Sequence, residues 1–291
     1  MNRYKLGRLV EDTLYVTPFE SLFLFIKGRI RPENPFYSNS LTLMKELLPG
    51  SSDLILYTVY EQMKLKGLYV KKESDSLFFR KSPRNEYDGP MKVMRESRDI
   101  SFQELASLSG SLVATVDDEN DTTFFRVYGV EPEGSADLGL PGGISTDRIS
   151  DRHVAQSEGM PDWIGNDFRG VRFLTELEEC LVKEGKEGGV ECSENPLFRI
   201  YSDLIGRRLI VKTGFKYGTN FRAYTKTMEE HADYLIHFLS GRDEWYKISR
   251  AVRVSQGVHK IMIFAGFLDE EIKYVAVERI RDPFYKGQKN D

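Results

Sequence analysis

The side chains best suited to chemistry lie between positions 224 and 260: a phenol at Tyr224, an imidazole at His231 and an amine at Lys260. Such groups can accept a proton, donate one and stabilise negative charge. Singly, each has a plainer reading: a tyrosine usually packs, a histidine sits on the surface or in a satisfied core site, and a lysine is solvated. Placement makes the set interesting. Tyr224 closes an extended run, His231 stands at the far end of a polar loop, and Lys260 opens an apolar run. Loop and strand-end positions are where scaffolds display functional groups.

The flanking sequence predicts the elements that must position these groups. Asn195-Pro196 marks a helix start, since Asn caps and Pro tolerates the first turn. Leu197, Ile200, Tyr201, Leu204 and Ile205 then recur at helical spacing, and Gly206 with Arg207-Arg208 suits the end. Residues 209–213 read as a short strand, 214–218 as a turn and 220–224 as a further extended segment. A loop over 225–230 and a buried strand over 232–239 follow. Residues 245–254 read as a helix, with Ile248, Ala251, Val252 and Ser255 on one side. Residues 259–268 and 272–281 read as a hairpin-like pair, giving a mixed α/β domain.

The chain also repeats itself. Shifted by about 141 residues, Leu56-Tyr57-Thr58-Val59-Tyr60 lies over Leu197-Phe198-Arg199-Ile200-Tyr201, and Gly67 to Lys71 lies over Arg208 to Lys212. At a shift of about 151, Leu112 to Glu119 lies over Ile263 to Glu270. A weaker match sets Thr17-Pro18-Phe19-Glu20 over Thr175-Glu176-Leu177-Glu178. The expected organisation is a tandem duplication, each unit a small N-terminal α/β subdomain followed by a strand-rich one. The divisions fall at 1–50, 51–132, a breaker-rich linker over 133–147, 148–194 and 195–291. Residues 144–167 are too irregular to assign. No histidine precedes His153, so the first copy lacks the set. About Ser109 stands opposite Lys260, and a position near Pro83 stands opposite Tyr224.

Composition narrows the class. The 291 residues carry 41 Lys and Arg against 45 Asp and Glu. The charge is uneven: from 195 onward there are 17 basic and 12 acidic residues, so the rest of the chain is acidic. A basic tail on an acidic body is compatible with nucleic acid meeting one part of the molecule. Cys180 and Cys192 show no zinc-binding spacing and read as reduced thiols of a cytosolic protein. The apolar run Leu22 to Ile26 is far too short for a membrane span. No secretory signal is read, and a cytoplasmic location without membrane association is expected.

At these residues the sequence resembles the archaeal tRNA-splicing endonucleases. Gly214-Phe215-Lys216-Tyr217-Gly218-Thr219-Asn220-Phe221-Arg222-Ala223-Tyr224 looks like the strand leading to that family's catalytic tyrosine. His231-Ala232-Asp233-Tyr234-Leu235-Ile236 is similar to the segment carrying its histidine. Arg250 to Lys260 is similar to the helix and strand start that deliver its lysine. The Tyr-to-His loop is shorter than in some members of the family. The resemblance implies a nuclease-like C-terminal subdomain in each unit. It also implies cleavage of precursor tRNA at both intron boundaries of a bulge-helix-bulge, with no cofactor and no metal. The RNA 2′-hydroxyl would attack its own phosphate, leaving 2′,3′-cyclic phosphate and 5′-hydroxyl ends. Tyr224 would be the base, His231 the acid for the leaving 5′-oxygen, and Lys260 the stabiliser of phosphate charge. Arg253 and Arg279 are the arginines expected to grip bulged bases.

Two splice junctions and one catalytic copy per chain imply a homodimer, which the resemblance supports. Asp117, Asp118, Glu119 and Asp121 sit where an acidic loop of the inactive unit docks into a basic cleft of a catalytic unit in that family. The plainer reading is a solvated hairpin tip. Two alternatives stand beside the nuclease: a non-catalytic RNA-binding or scaffold protein of the same fold, and a metal-dependent nuclease, which needs clustered carboxylates near a basic residue.

Overall fold

The structure is a computed structural model describing residues 6–37, 39–139, 144–183 and 192–284. It opens with a hairpin of β1 (Arg8–Val10) and β2 (Thr13–Tyr15). Thr17 and Glu20 then cap one another. The Thr17 hydroxyl accepts from the Glu20 amide and the Glu20 carboxylate accepts from the Thr17 amide, which starts α1 (Pro18–Ile26). Helices α2 (Ser40–Leu47) and α3 (Asp53–Leu65) follow. Strands β3 (Tyr69–Glu73), β4 (Ser76–Arg80), β5 (Asp88–Arg95) and β6 (Asp99–Ser101), helix α4 (Phe102–Ser107), and strands β7 (Leu112–Val116) and β8 (Thr122–Gly129) complete the first half.

The second half begins with β9 (Thr146–Ile149), β10 (Arg152–Gln156), β11 (Asn166–Phe168) and β12 (Val171–Leu174), an antiparallel sheet in the order β11-β12-β10-β9. Helix α5 (Glu176–Lys183) starts on a Thr175–Glu178 pair that repeats the reciprocal cap of Thr17 and Glu20. Next come α6 (Pro196–Gly206), β13 (Ile210–Thr213), β14 (Phe221–Tyr224), β15 (Tyr234–Phe238) and β16 (Arg242–Glu244). Helix α7 (Trp245–Gly257), β17 (Ile261–Leu268) and β18 (Glu271–Ile280) close it. Asn195 caps α6 as expected, its side-chain oxygen accepting from the Leu197 amide.

One ten-stranded sheet runs β13-β14-β15-β17-β18-β8-β7-β5-β4-β3. The order of one half mirrors that of the other. In each half one neighbouring pair is parallel, β5 with β7 and β15 with β17, and each pair is joined by a short strand and a helix. The halves meet where β18 pairs antiparallel with β8, Val277 opposite Val127, and where β16 pairs with β6. The architecture is the mixed α/β fold that the sequence predicts.

Three apolar clusters hold these layers. One packs α3 on the first half of the sheet, through Leu56, Val59 and Met63 against Leu77, Met91 and Val93. A second packs α6 on the second half, through Ile200 and Leu204 against Ala223, Ile236 and Ile263. The third belongs to both halves. Leu105, Val113 and Phe125 share it with Trp245, Val252, Phe264 and Val277. The fully buried Trp245 ring meets Phe125 edge-on at 5.4 Å, and truncating such a side chain costs about 3–5 kcal/mol. Gly266 belongs to this seam: a Cβ there would lie 2.2 Å from Phe102 Cγ, so β17 of one half needs glycine to let α4 of the other approach.

The breaker-rich stretch after β8 is docked where it is described. The amides of Gly134, Ser135 and Ala136 donate to the carbonyls of Arg207, Thr225 and Arg208. A Cβ at Gly134 would sit 2.2 Å from the Arg208 carbonyl oxygen. Residues 140–143 of the expected linker lie outside the described residues. The segment from 144 that sequence leaves unassigned becomes β9, β10 and β11. No described helix is long and apolar enough to cross a membrane.

The cysteine expectation is overturned. Cys180 and Cys192 are not reduced thiols but a disulfide, with Cα atoms 5.8 Å apart and a separation of 12 residues. Cys180 lies on α5 and Cys192 shortly before α6, and the packing of those two helices brings the sulfurs together. Spacing alone carries no sign of that proximity.

Candidate active site

Three adjacent strands of the second half end at one place. The carboxyl end of β14, at Tyr224, lies beside the start of β15, since Ala223 pairs with Tyr234. The start of β15 lies beside the start of β17, since Tyr234 pairs with Ile261. Asp233 rivets all three. Its amide donates to the Ala223 carbonyl, its carbonyl accepts from the Ile261 amide, and its carboxylate accepts from the Thr225 amide and hydroxyl at 2.9 and 2.8 Å.

Tyr224, His231 and Lys260 all sit at this convergence. β14 and β17 are two strand spacings apart, about 10 Å, so one patch of surface holds all three backbones. Tyr224 is buried, and its hydroxyl makes no hydrogen bond among the described residues yet is not shut off from solvent. The phenols of Tyr57, Tyr60 and Tyr201 contrast with it. Their hydroxyls are sealed without partners, and burial pushes their pKa values well above the ordinary phenol range. His231 is exposed at the end of the loop. Lys260 is half-buried and donates to the Ala232 carbonyl at 2.8 Å, one residue past His231. An ammonium has three N–H donors, so this contact anchors the amine and leaves two for a ligand.

A cavity of about 680 Å³ opens beside Lys260, lined also by Gln256, His259, Arg279 and Arg281. Gln256 donates to the Arg279 carbonyl at 2.9 Å and ties the end of α7 to β18. The structure thus brings Arg279 to the same cavity as Lys260. Arg253 lies apart from that lining, exposed on α7 with a guanidinium nitrogen 3.9 Å from Glu96.

Sequence reading passed over a residue beside the site and a cleft away from it. Arg222 stands two positions before Tyr224, on the same face of β14, with its guanidinium carbon 5.8 Å from the Tyr224 ring centre. Strand alternation was the available signal. A second cleft, of about 490 Å³, runs along α7 and is lined by Lys216, His237, Lys247, Arg250 and Val254. Burial lowers the pKa of His237, against the opposing pull of Asp243. These cations are scattered through 216–250 and collect only when α7 folds back over the sheet.

The acidic loop joins β7 to β8. Asp117 turns its carboxylate inward, accepting from the amides of Glu119 at 3.0 Å and Asp121 at 2.8 Å. Asp118 projects outward, 95% exposed, with Arg95 at 3.8 Å. The matching hairpin of the second half is a two-residue turn of Asp269 and Glu270, both with positive φ. Among the described residues no three His, Cys, Asp or Glu side chains gather in a metal-binding arrangement.

The register corrects the position opposite Tyr224. Tyr69 pairs with Arg80 as Ile210 pairs with Tyr224, so Arg80, not Pro83, occupies the equivalent place, and Phe78 is equivalent to Arg222. Arg126 pairs with Leu112 as Ala276 pairs with Ile263, which keeps Ser109 opposite Lys260.

Comparison with known proteins bears on the same residues. The family profile described as "tRNA intron endonuclease, catalytic C-terminal domain" matches residues 196–274, a stretch that contains all three. The chain is 37% identical to a tRNA-splicing endonuclease of Thermoplasma volcanium, over 97% of this chain and 91% of the relative. It is 31% identical to one of Picrophilus torridus, over 97% and 90%, and 26% identical to one of Methanococcoides burtonii, over 94% and 92%. The strand-end convergence thus lies inside the matched catalytic domain, and similarity runs through both halves: the chain belongs to the archaeal tRNA-splicing endonuclease family.

Proposed function

We propose that this protein cleaves precursor tRNA at both intron boundaries, within a bulge-helix-bulge, at the strand-end convergence of the second half. The observation that carries the reading is the anchoring of the Lys260 amine on the Ala232 carbonyl, one residue from His231 and across the strand ends from Tyr224. Tyr224, reacting as its phenolate, takes the proton of the RNA 2′-hydroxyl. The 2′-oxygen then bonds to the adjacent phosphorus, and the bond from phosphorus to the 5′-oxygen breaks. His231 donates a proton to that leaving oxygen, and Lys260 meets the charge on the phosphate with its remaining N–H groups. The products are a 2′,3′-cyclic phosphate and a 5′-hydroxyl. No step calls for a metal-bound water. Arg279, in the cavity of Lys260, and Arg253 hold the bulged bases.

The chain acts as two fused copies of one unit, divided as the sequence divides it, a reading supported by the mirrored strand order. The first copy is structural. A homodimer in the cytoplasm places two sites on one substrate. In it the loop of Asp117, Asp118, Glu119 and Asp121 of one protomer faces a cationic cleft of its partner. The cleft of Lys216, Lys247 and Arg250 supplies suitable charge.

Incubating the protein with a bulge-helix-bulge RNA in excess EDTA tests this function. Two cuts with cyclic phosphate ends are expected. Binding without cutting would turn the protein into a scaffold, and cutting only on adding a divalent ion would replace this chemistry.

A further inference from the structure

Arg222, two residues before Tyr224, is the least committed half-buried cation among the described residues of the second half. Arg207 is held by Asp203 and Glu131, Arg199 by Glu270, and Arg242 by Glu104. Lys212, directly across from Arg222 on β13, gives its amine to Glu178 and to the carbonyls of Trp163 and Gly165. Arg222 has no carboxylate within 4.0 Å and no hydrogen bond among the described residues, and its Nε is sealed from solvent without a partner. A half-buried guanidinium in that state bears a desolvation cost that an anion would relieve. Its planar fork matches a phosphate. It lies 5.8 Å from the ring of Tyr224, at the strand end where an RNA backbone has to pass. In the half that lacks the triad, the equivalent position is Phe78, which offers an anion nothing.

We propose that Arg222 is a substrate-binding residue of this active site, its guanidinium holding an RNA backbone phosphate next to Tyr224. The assignment rests on the nuclease reading, goes beyond the three groups that act on the scissile bond, and makes Arg222 a binding group rather than a proton carrier.

The test uses the full-length protein and a bulge-helix-bulge RNA with 2′-deoxyribose at both cleavage positions, which binds but cannot react. Fluorescence anisotropy is followed as salt is raised, for wild type, Arg222→Met and Arg222→Lys. The methionine variant should bind about tenfold or more weakly, as losing a charged hydrogen bond implies. Its plot of log affinity against log salt should be shallower by about one phosphate contact, roughly 0.7–0.9. The lysine variant should keep the slope and recover part of the affinity. With cleavable RNA in single turnover, the half-saturating concentration should move more than the limiting rate. An unchanged salt slope in Arg222→Met overturns the proposal, whether or not the rate falls, since the guanidinium then only stacks on Tyr224. A lower melting temperature with an unchanged slope overturns it as well. Wild type that binds but fails to cut would defeat the nuclease reading alone, because the slope still decides Arg222. Wild type that does not bind RNA would sink both.

Discussion

The two halves share a strand order and differ at one end of it. In the second, β14, β15 and β17 end on Tyr224, His231 and Lys260, with Arg222 beside the phenol. In the first, the matching positions hold Arg80, a loop without histidine, Ser109 and Phe78. Arg80 also closes its own strand end. It donates to the carbonyls of Pro83 and Asn85 and lies over the rings of Tyr87 and Tyr69. The lesson is that register and helix packing maintain this fold without regard to what stands at the strand ends. The side chains at a strand end can differ completely while the scaffold is the same.

The sharpest way to break the contrast is to make the second half resemble the first. Tyr224→Phe, His231→Ala and Lys260→Ala should each reduce single-turnover cleavage by about 10²–10⁴-fold, the usual worth of a positioned acid or base. Circular dichroism and melting temperature should stay near wild type, because Tyr224→Phe keeps the ring that packs in the α6 core, His231 is exposed and Lys260 lies outside the apolar clusters. A full-rate variant would remove that residue from the chemistry.

The next effect concerns the loop in which the halves differ by three residues. Asp118→Lys together with Glu119→Lys should give monomers with little activity. Light scattering reads the mass, and a dimer mass unchanged at low salt would rule the loop out as a docking element. Asp117→Ala instead removes the acceptor of two loop amides and should loosen the hairpin itself.

A smaller effect belongs to the disulfide, which has no counterpart in the first half. Closing a loop of this length stabilises a fold by up to about 3 kcal/mol in the chain-entropy account. Cys180→Ser should therefore lower the melting temperature by several degrees, and a reducing agent should do the same to wild type only. Equal melting temperatures would mean that the α5–α6 packing needs no crosslink.

The smallest effect is on the seam. Glu104 has its pKa held down at about 2: the Ser101 amide outweighs the opposing burial, and the Ser101 hydroxyl and Arg242 assist. A depressed carboxyl contributes stability above its ordinary pKa, and this is lost as pH falls toward the folded value. The contribution should be complete above about pH 5 and fade toward pH 2. Because the Glu104 side chain is 35% exposed and solvent screens the pair, the share due to Arg242 is worth at most about 1 kcal/mol. Glu104→Gln should flatten the acid limb of the melting profile slightly. An identical acid limb would show that Glu104 does not hold α4 and β16 together.

Much of this was legible in sequence because its signals are local. Asn195-Pro196 states a helix start, Thr17 with Glu20 and Thr175 with Glu178 state two more, and the apolar run into Leu268 states a strand. The placement of Tyr224, His231 and Lys260 was legible as well, since each sits at a strand or loop end that local pattern reveals. What escaped is what only register or tertiary packing decides. Pro83 was taken for Arg80, three positions too late, because the turn from β3 to β4 is shorter than the one from β13 to β14: Glu73 pairs with Ser76, but Thr213 pairs with Phe221. Strands β9 to β12 are 3–5 residues long and rich in charge, so period 2 barely has room to appear. The Cys180–Cys192 bond depends on helix packing. Arg222 stands out only once its neighbours are seen to be committed elsewhere.

The pairing of β18 with β8 reaches beyond architecture. Were the first half deleted, the six residues of β18 from 275 to 280 would lose their neighbour, including Val275 and Val277, now 2% and 1% exposed. A bare, apolar strand border of that length is a template for uncontrolled self-association. Covering that border gives the first half a structural use that owes nothing to catalysis.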